Sequence, residues 1–247
     1  MIKASLIRKE ARSQLKGKYW TVFRLTLLSA LFTFALNFIL NLGNQRAGLE
    51  RASGSVQIQN YLVNIISFFL TSGTTGGIMY FSRERLPKDA QPFTFLFRFL
   101  KAPYAGGIFL TGIFVMLLSI LWAIPAGIGV AALLLGDFSG NSALVILGVV
   151  LLIAGIFFLF YKTFSYALSI NALIDIIDEK GRLEKATEAI NKSKDLMRGH
   201  IFQLIILNLS FIGWWILAVL PLGLGVIFLI PYVSLSNVLF YRQLAEK

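Results

Sequence analysis

The sequence predicts an all-α fold, a polytopic transmembrane helical bundle of about six spans with both termini cytoplasmic. Three observations carry this. Hydrophobic residues make up 57% of the 247 and charged residues 14%, whereas a soluble domain has roughly 45–50% apolar and about 25% charged residues. Apolar runs recur that meet the ~20 helical residues needed to cross a hydrocarbon core about 30 Å thick. The basic residues fall almost entirely into alternate loops. A soluble fold of this composition would expose large apolar patches, and disorder requires low hydrophobicity.

The chain reads as a single integral membrane domain, 1–247. Residues 1–19 form a basic amphipathic segment, read as a helix over Ile2–Leu15. Ile2, Leu6, Ala11 and Leu15 fall near one face, and Arg8, Lys9, Arg12 and Lys16 occupy the rest. Such a helix lies on an anionic bilayer surface, where each Lys or Arg contributes about 1 kcal/mol. The expected partners are therefore the bilayer and anionic phospholipid head groups. The apolar stretch that follows is longer than a signal h-region of about 7–15 residues, so 20–42 reads as an uncleaved first span.

Span two, 58–81, contains Gly73 and Gly77 in a GxxxG and a second small pair at Ser72 and Gly76. Small residues let helix backbones approach closely, within one chain or between protomers. Neither a Lys-Ser/Thr nor a preceding strand accompanies these glycines, so no phosphate loop is implied. Span three, 106–135, carries Pro125. Span four, 143–174, is apolar to Tyr161 and takes Lys162 as its first charge, at the inner head groups. A second amphipathic helix, 183–198, places Leu183, Ala186, Ile190 and Met197 on one face before span five. Span five, 201–220, and span six, 222–241, are separated by Pro221 and a Gly-rich stretch. Pro231 lies inside span six.

Orientation follows from Lys and Arg in the short loops. The N-terminal segment holds six, the 82–105 loop five, the 175–200 loop six and the C-terminal tail two. The opposite side holds only Arg46 and Arg51. Nineteen of the 23 basic residues thus face the cytoplasm, which accounts for the net charge of +11 without nucleic acid. The alternation is regular only if the last two spans both cross.

Candidate chemistry is sparse. Span interiors contain no Asp or Glu, which argues against a carboxylate relay for coupled transport. Asn37, Asn41, Asn64, Asn171, Asn208 and Asn237 place amides in the spans; these either bond neighbouring helices or line a polar path. Asp175, Asp178 and Glu179 either hold a divalent cation with a phosphate head group or form a solvated cluster. The chain has no cysteine and a single histidine, His200, so no thiol chemistry, metal site or cofactor is implied. Aromatic residues near span ends, among them Trp20, Tyr61, Tyr104, Tyr232 and Tyr241, read as an interfacial belt.

Several motifs together carry a resemblance. The start runs Arg8-Lys-Glu-Ala-Arg-Ser-Gln-Leu-Lys-Gly17, a glycine-rich second span ends at Arg83, and Phe97-Arg-Phe-Leu-Lys101 follows. The most specific part is Ala189-Ile-Asn-Lys-Ser193-Lys-Asp-Leu-Met197-Arg-Gly199-His200, followed by Gly213-Trp214, Pro231-Tyr232 and Phe240-Tyr241. In these the chain resembles the DUF975 family of bacterial integral membrane proteins, whose role is not established. The resemblance implies a multi-pass protein of the cell membrane and carries over no catalytic residue. Read physically, Ser193 and Met197 seat the cytoplasmic helix and Gly199 caps it. Gly213 beside Trp214 permits close helix approach, and Pro231 bends span six. Three roles are compatible: a non-enzymatic organising or accessory protein of the envelope, as a homo-oligomer or with a membrane-protein partner; a transporter or flippase for a lipid or amphipathic peptide; or an enzyme acting on lipid-linked phosphate.

Overall fold

The computed structural model describes residues 3–46, 54–86, 97–220 and 224–246. Ile2, Arg51, Lys88, Pro221, Leu222, Gly223 and Lys247, which enter the sequence expectations, lie outside these. All regular structure among the described residues is helical. Six stretches of it are long and apolar enough to cross a membrane, which is the architecture the composition dictates. In hydrocarbon a spanning backbone must satisfy its own hydrogen bonds, and a helix does so within one segment.

The helices are α1 (Ala4–Leu15), α2 (Tyr19–Arg46), α3 (Gly54–Ser82), α4 (Tyr104–Ser139), α5 (Ser142–Tyr166), α6 (Ser169–Lys180), α7 (Ala186–Met197), α8 (Ile201–Leu209), α9 (Ile212–Val219) and α10 (Leu224–Ala245). Two spans are less continuous than the hydropathy suggests. The fourth is interrupted between α5 and α6, and the fifth between α8 and α9, where Ser210 and Phe211 leave the helix. The second amphipathic helix runs 186–197, shorter at both ends than the expected 183–198.

The chain divides into two compact units. The first comprises Met1–Ile108 and Phe202–Lys247, the second Phe109–Ile201. In the first, α10 is the common partner, packed against α1, α2, α3 and α9. Its C-terminal half is core, with Leu235, Leu239, Phe240 and Tyr241 fully buried. Ion pairs join both ends of this unit to the end of α3, Lys18 to Glu84 at 3.7 Å and Arg83 to Glu246 at 3.8 Å, and Glu246 also pairs with Arg242 one turn before it at 3.0 Å. The Arg242 guanidinium also donates to the Ser82 carbonyl. Tyr104 and Tyr241 are therefore not belt residues. Both are buried, and the Tyr104 hydroxyl lies 3.3 Å from that of Tyr80.

In the second unit α4 and α5 form a tight antiparallel hairpin. Its turn is capped by Asn141, whose side chain accepts from the Ala143 and Leu144 amides. Four glycines line the seam. A Cβ added at Gly129 would stand 2.5 Å from the Leu152 nitrogen, at Gly136 2.7 Å from that of Val145, at Gly148 2.7 Å from that of Leu133 and at Gly155 2.4 Å from that of Ala126. Only hydrogen fits at such a distance from backbone, so these positions set how closely the helices approach. Lys162 extends back across the hairpin, with Nζ 4.5 Å from the centroid of Trp122. Beyond α5, helices α6 and α7 pack on one another and α7 on α5.

Candidate functional site

The N-terminal helix determines where the site lies. Ile7, Ala11 and Leu15 are its buried stripe, at the i, i+4, i+8 spacing of one helix face. Leu6, expected on that stripe, is 57% exposed. The buried face is displaced because α1 rests on α10, not on lipid alone. Its polar residues confirm the docking. The Gln243 amide donates to Glu10 at 3.0 Å. Arg8 donates through Nη1 to the Ser210 carbonyl at 3.4 Å, at the interruption between α8 and α9. The Tyr232 hydroxyl donates to the Arg8 carbonyl at 3.3 Å and accepts from Arg12 Nε at 3.1 Å. Gly17, at φ +76°, turns the chain out of α1 in the left-handed conformation that suits glycine. At the start of α2 the Tyr19 hydroxyl then donates to the Phe228 carbonyl at 2.7 Å.

These contacts leave an open groove of about 740 Å³ between α1, the start of α2, α9 and α10. Arg12 and Lys16, one turn apart, supply its positive charge. Tyr19, Trp214 and Tyr232 supply aromatic wall, and Leu15, Leu217, Ala218, Phe228 and Leu229 make the remainder apolar. The Arg12 guanidinium lies 5.7 Å from both the Trp214 and the Tyr232 ring centroids, in range for cation–π attraction. None of the lining residues is acidic. Chemically the groove fits a molecule with an anionic end and an apolar body. A second, smaller cavity of about 210 Å³, lined by Leu28, Phe32, Ile66, Phe69, Leu70 and Phe97 among others, is apolar apart from Ser29.

The sequence-predicted residues distribute unevenly around this site. Trp214 and Tyr232 are in it. Pro231 lies inside α10 beside Tyr232 and removes one helix donor there. Gly213 does not support a close helix approach, because a Cβ there would meet nothing within 4 Å. The close approach on this hairpin is made at Gly225, whose Cβ would stand 2.6 Å from the Ala218 Cα. In α3 Gly73 and Gly77 are buried, and the neighbouring Gly76 receives the Phe99 ring, which a Cβ would meet at 2.3 Å.

Ser193, Met197 and Gly199 lie in the second unit, apart from the groove. The Ser193 hydroxyl donates to the Ser165 carbonyl at 2.8 Å, at the frayed end of α5, and both Ser193 and Met197 are fully buried. Gly199, at φ +79°, follows the end of α7, with the His200 amide closing onto the Met197 carbonyl at 2.9 Å. Asp175 is buried, not solvated, while Glu179 is exposed. No group of three metal-ligating side chains occurs among the described residues. Of the amides, Asn37 and Asn41 bond carbonyls of their own helix, whereas Asn208 donates to Asn237 across α8 and α10 at 3.4 Å.

The groove was not evident in the sequence because its parts are two hundred residues apart. The one available signal was Arg12 and Lys16 at i, i+4 on the helix just before a span.

A family model described as "Protein of unknown function (DUF975)" matches residues 1–247, so the chain belongs to this family. No curated protein and no solved structure matches it.

Proposed function

We propose that this member of the DUF975 family is a non-enzymatic protein of the bacterial cell membrane that organises or assists other envelope components. In this reading its termini are cytoplasmic, and the groove between α1, α9 and α10 is where it holds them. The observation that carries the reading is the make-up of that groove. It joins two cations to an extensive aromatic and apolar wall, a combination that recognises an amphiphilic membrane component. Its lining residues offer no nucleophile–base pair of the kind that acyl or phosphoryl transfer uses. The nineteen basic residues on the proposed cytoplasmic side would hold that face against anionic lipid.

The test is photo-cross-linking from position 217, at the groove's exposed edge, in native membranes. One discrete adduct is expected, lost in the double variant Arg12→Gln, Lys16→Gln. An even ladder of lipid adducts insensitive to those charges would overturn the reading, as would turnover of a lipid-linked phosphate by the purified protein.

One observation favours lipid translocation as a second reading. Trp214, which faces Arg12, lies beyond the interruption at Ser210 and Phe211, inside the apolar helical stretch that begins at Ile201. A cation beside such a position is costly in hydrocarbon and is a marker of a substrate path. Accelerated flip-flop of a fluorescent anionic lipid in proteoliposomes would support translocation, and bare-liposome rates would remove it.

A further inference from the structure

We infer that the groove holds one anionic phospholipid, its phosphate on Arg12 and Lys16 and its chains along Leu217, Phe228 and Leu229. This rests on the groove being the working site, and it names the ligand. Arg12 lines the groove and is anchored there through Nε by the Tyr232 hydroxyl. A guanidinium held in this way presents a fixed fork, the geometry that suits phosphate oxygens. Lys16 is exposed on the same face of α1 and adds a point charge one turn away.

Two features select among phospholipids. Among the described residues no carboxylate lines the groove to receive an ammonium head group. Trp214 and Tyr232 would form a cage for choline, but Arg12 already lies against both rings. The head group that fits is therefore one with net negative charge. The apolar extent of the wall in turn favours a chain-bearing ligand over inorganic phosphate or a soluble phosphoester. Tyr19 and Trp214 carry both an apolar body and a polar edge, which suits the level where chain meets head group.

The experiment uses the full chain in nanodiscs of equal phosphatidylglycerol and phosphatidylcholine, transferred to mild detergent for native mass spectrometry. One phosphatidylglycerol per protomer is expected to persist, preferred about tenfold over phosphatidylcholine. Lys16→Gln should lower that retention about fivefold, the effect of a single charge near an anionic surface. Leu217→Trp, which fills the groove from an exposed position, should abolish it without changing the melting temperature. Lys9→Gln, on the same helix but outside the lining, should leave it unchanged.

Equal retention of the two lipids would overturn the inference. So would loss on Lys9→Gln equal to that on Lys16→Gln, or retention unchanged by Leu217→Trp. A discrete protein adduct from position 217 combined with no lipid preference would remove this inference and leave the organising role standing.

Discussion

The two units use glycine differently, although the first also has one backbone contact of the second's kind, at Gly225 against Ala218. In the first, Gly76 makes room for a side chain, the ring of Phe99. In the second, Gly129, Gly136, Gly148 and Gly155 make room for backbone. A ring at the end of a side chain is replaceable, whereas a helix backbone is not. The first unit is therefore repairable at Gly76, and its close packing coexists with an open groove. The hairpin of α4 and α5 is tight along its whole seam, and its four contacts all demand the same interaxial distance. This difference orders the consequences of substitution.

The largest effect is expected at the seam. Gly155→Ala places a Cβ 2.4 Å from the Ala126 nitrogen, so the helices must separate. Overpacking of this kind costs about 3 kcal/mol or more. Removing the Ala126 side chain should not restore stability, because the obstructing atoms nearest the new Cβ are main-chain. Gly127→Ala, with nothing within 4 Å, is the control, and it should gain up to about 1 kcal/mol from helix propensity. Thermal unfolding in micelles, followed by circular dichroism, reads all three. Equal behaviour of positions 127 and 155 would break the comparison.

The seam also shows which kind of information a single sequence carries. Long apolar runs announce helices because the bilayer imposes their length, and six were legible without partners. Small residues four apart, the usual mark of a close helix contact, single out Gly73 and Gly77. The seam glycines are spaced by seven, 129 with 136 and 148 with 155, and they acquire meaning only once one helix is laid against the other. The same holds for Arg12. Alone it reads as a lipid-facing charge, and its engagement with Trp214 and Tyr232 depends on contacts across more than two hundred residues. Tyr241 reads as an interfacial aromatic by position, yet α10 turns it into the core. Ser193 and Gly199 were more legible, because a small polar residue on a helix face and a glycine at its end have local physical reasons.

The next largest effect is expected in the first unit. Gly76→Ala should destabilise by about 2 kcal/mol, because its Cβ meets the Phe99 ring at 2.3 Å. Phe99→Leu alone removes ring atoms from a fully buried position and should cost about 1–2 kcal/mol. Combined, the two should be less destabilising than their sum by 1 kcal/mol or so, since Leu vacates the space that the methyl needs. Additive melting shifts would mean that Gly76 is constrained by something other than the ring.

The smallest effects distinguish a hydrogen bond that seats a helix from one that holds a helix beside an open groove. Ser193→Ala removes the donor to the Ser165 carbonyl inside the second unit and should lower stability by about 1 kcal/mol, read as a modest fall in melting temperature. Tyr232→Phe loses two bonds at once, to Arg12 and to the Arg8 carbonyl, but Arg12 is exposed and water replaces much of what is lost. Its cost to global stability should therefore be no larger than that of Ser193→Ala. Its effect should instead appear locally, as release of α1 from α10. Since the chain has no native cysteine, spin labels at Lys9 and Val233 report that separation without background. A broadened and lengthened distance distribution in Tyr232→Phe, absent in Ser193→Ala, is the expected outcome. An unchanged distribution would mean that the apolar stripe of Ile7, Ala11 and Leu15, with the Gln243–Glu10 and Arg8–Ser210 bonds, holds the helix without Tyr232, and that Tyr232 serves only to orient Arg12.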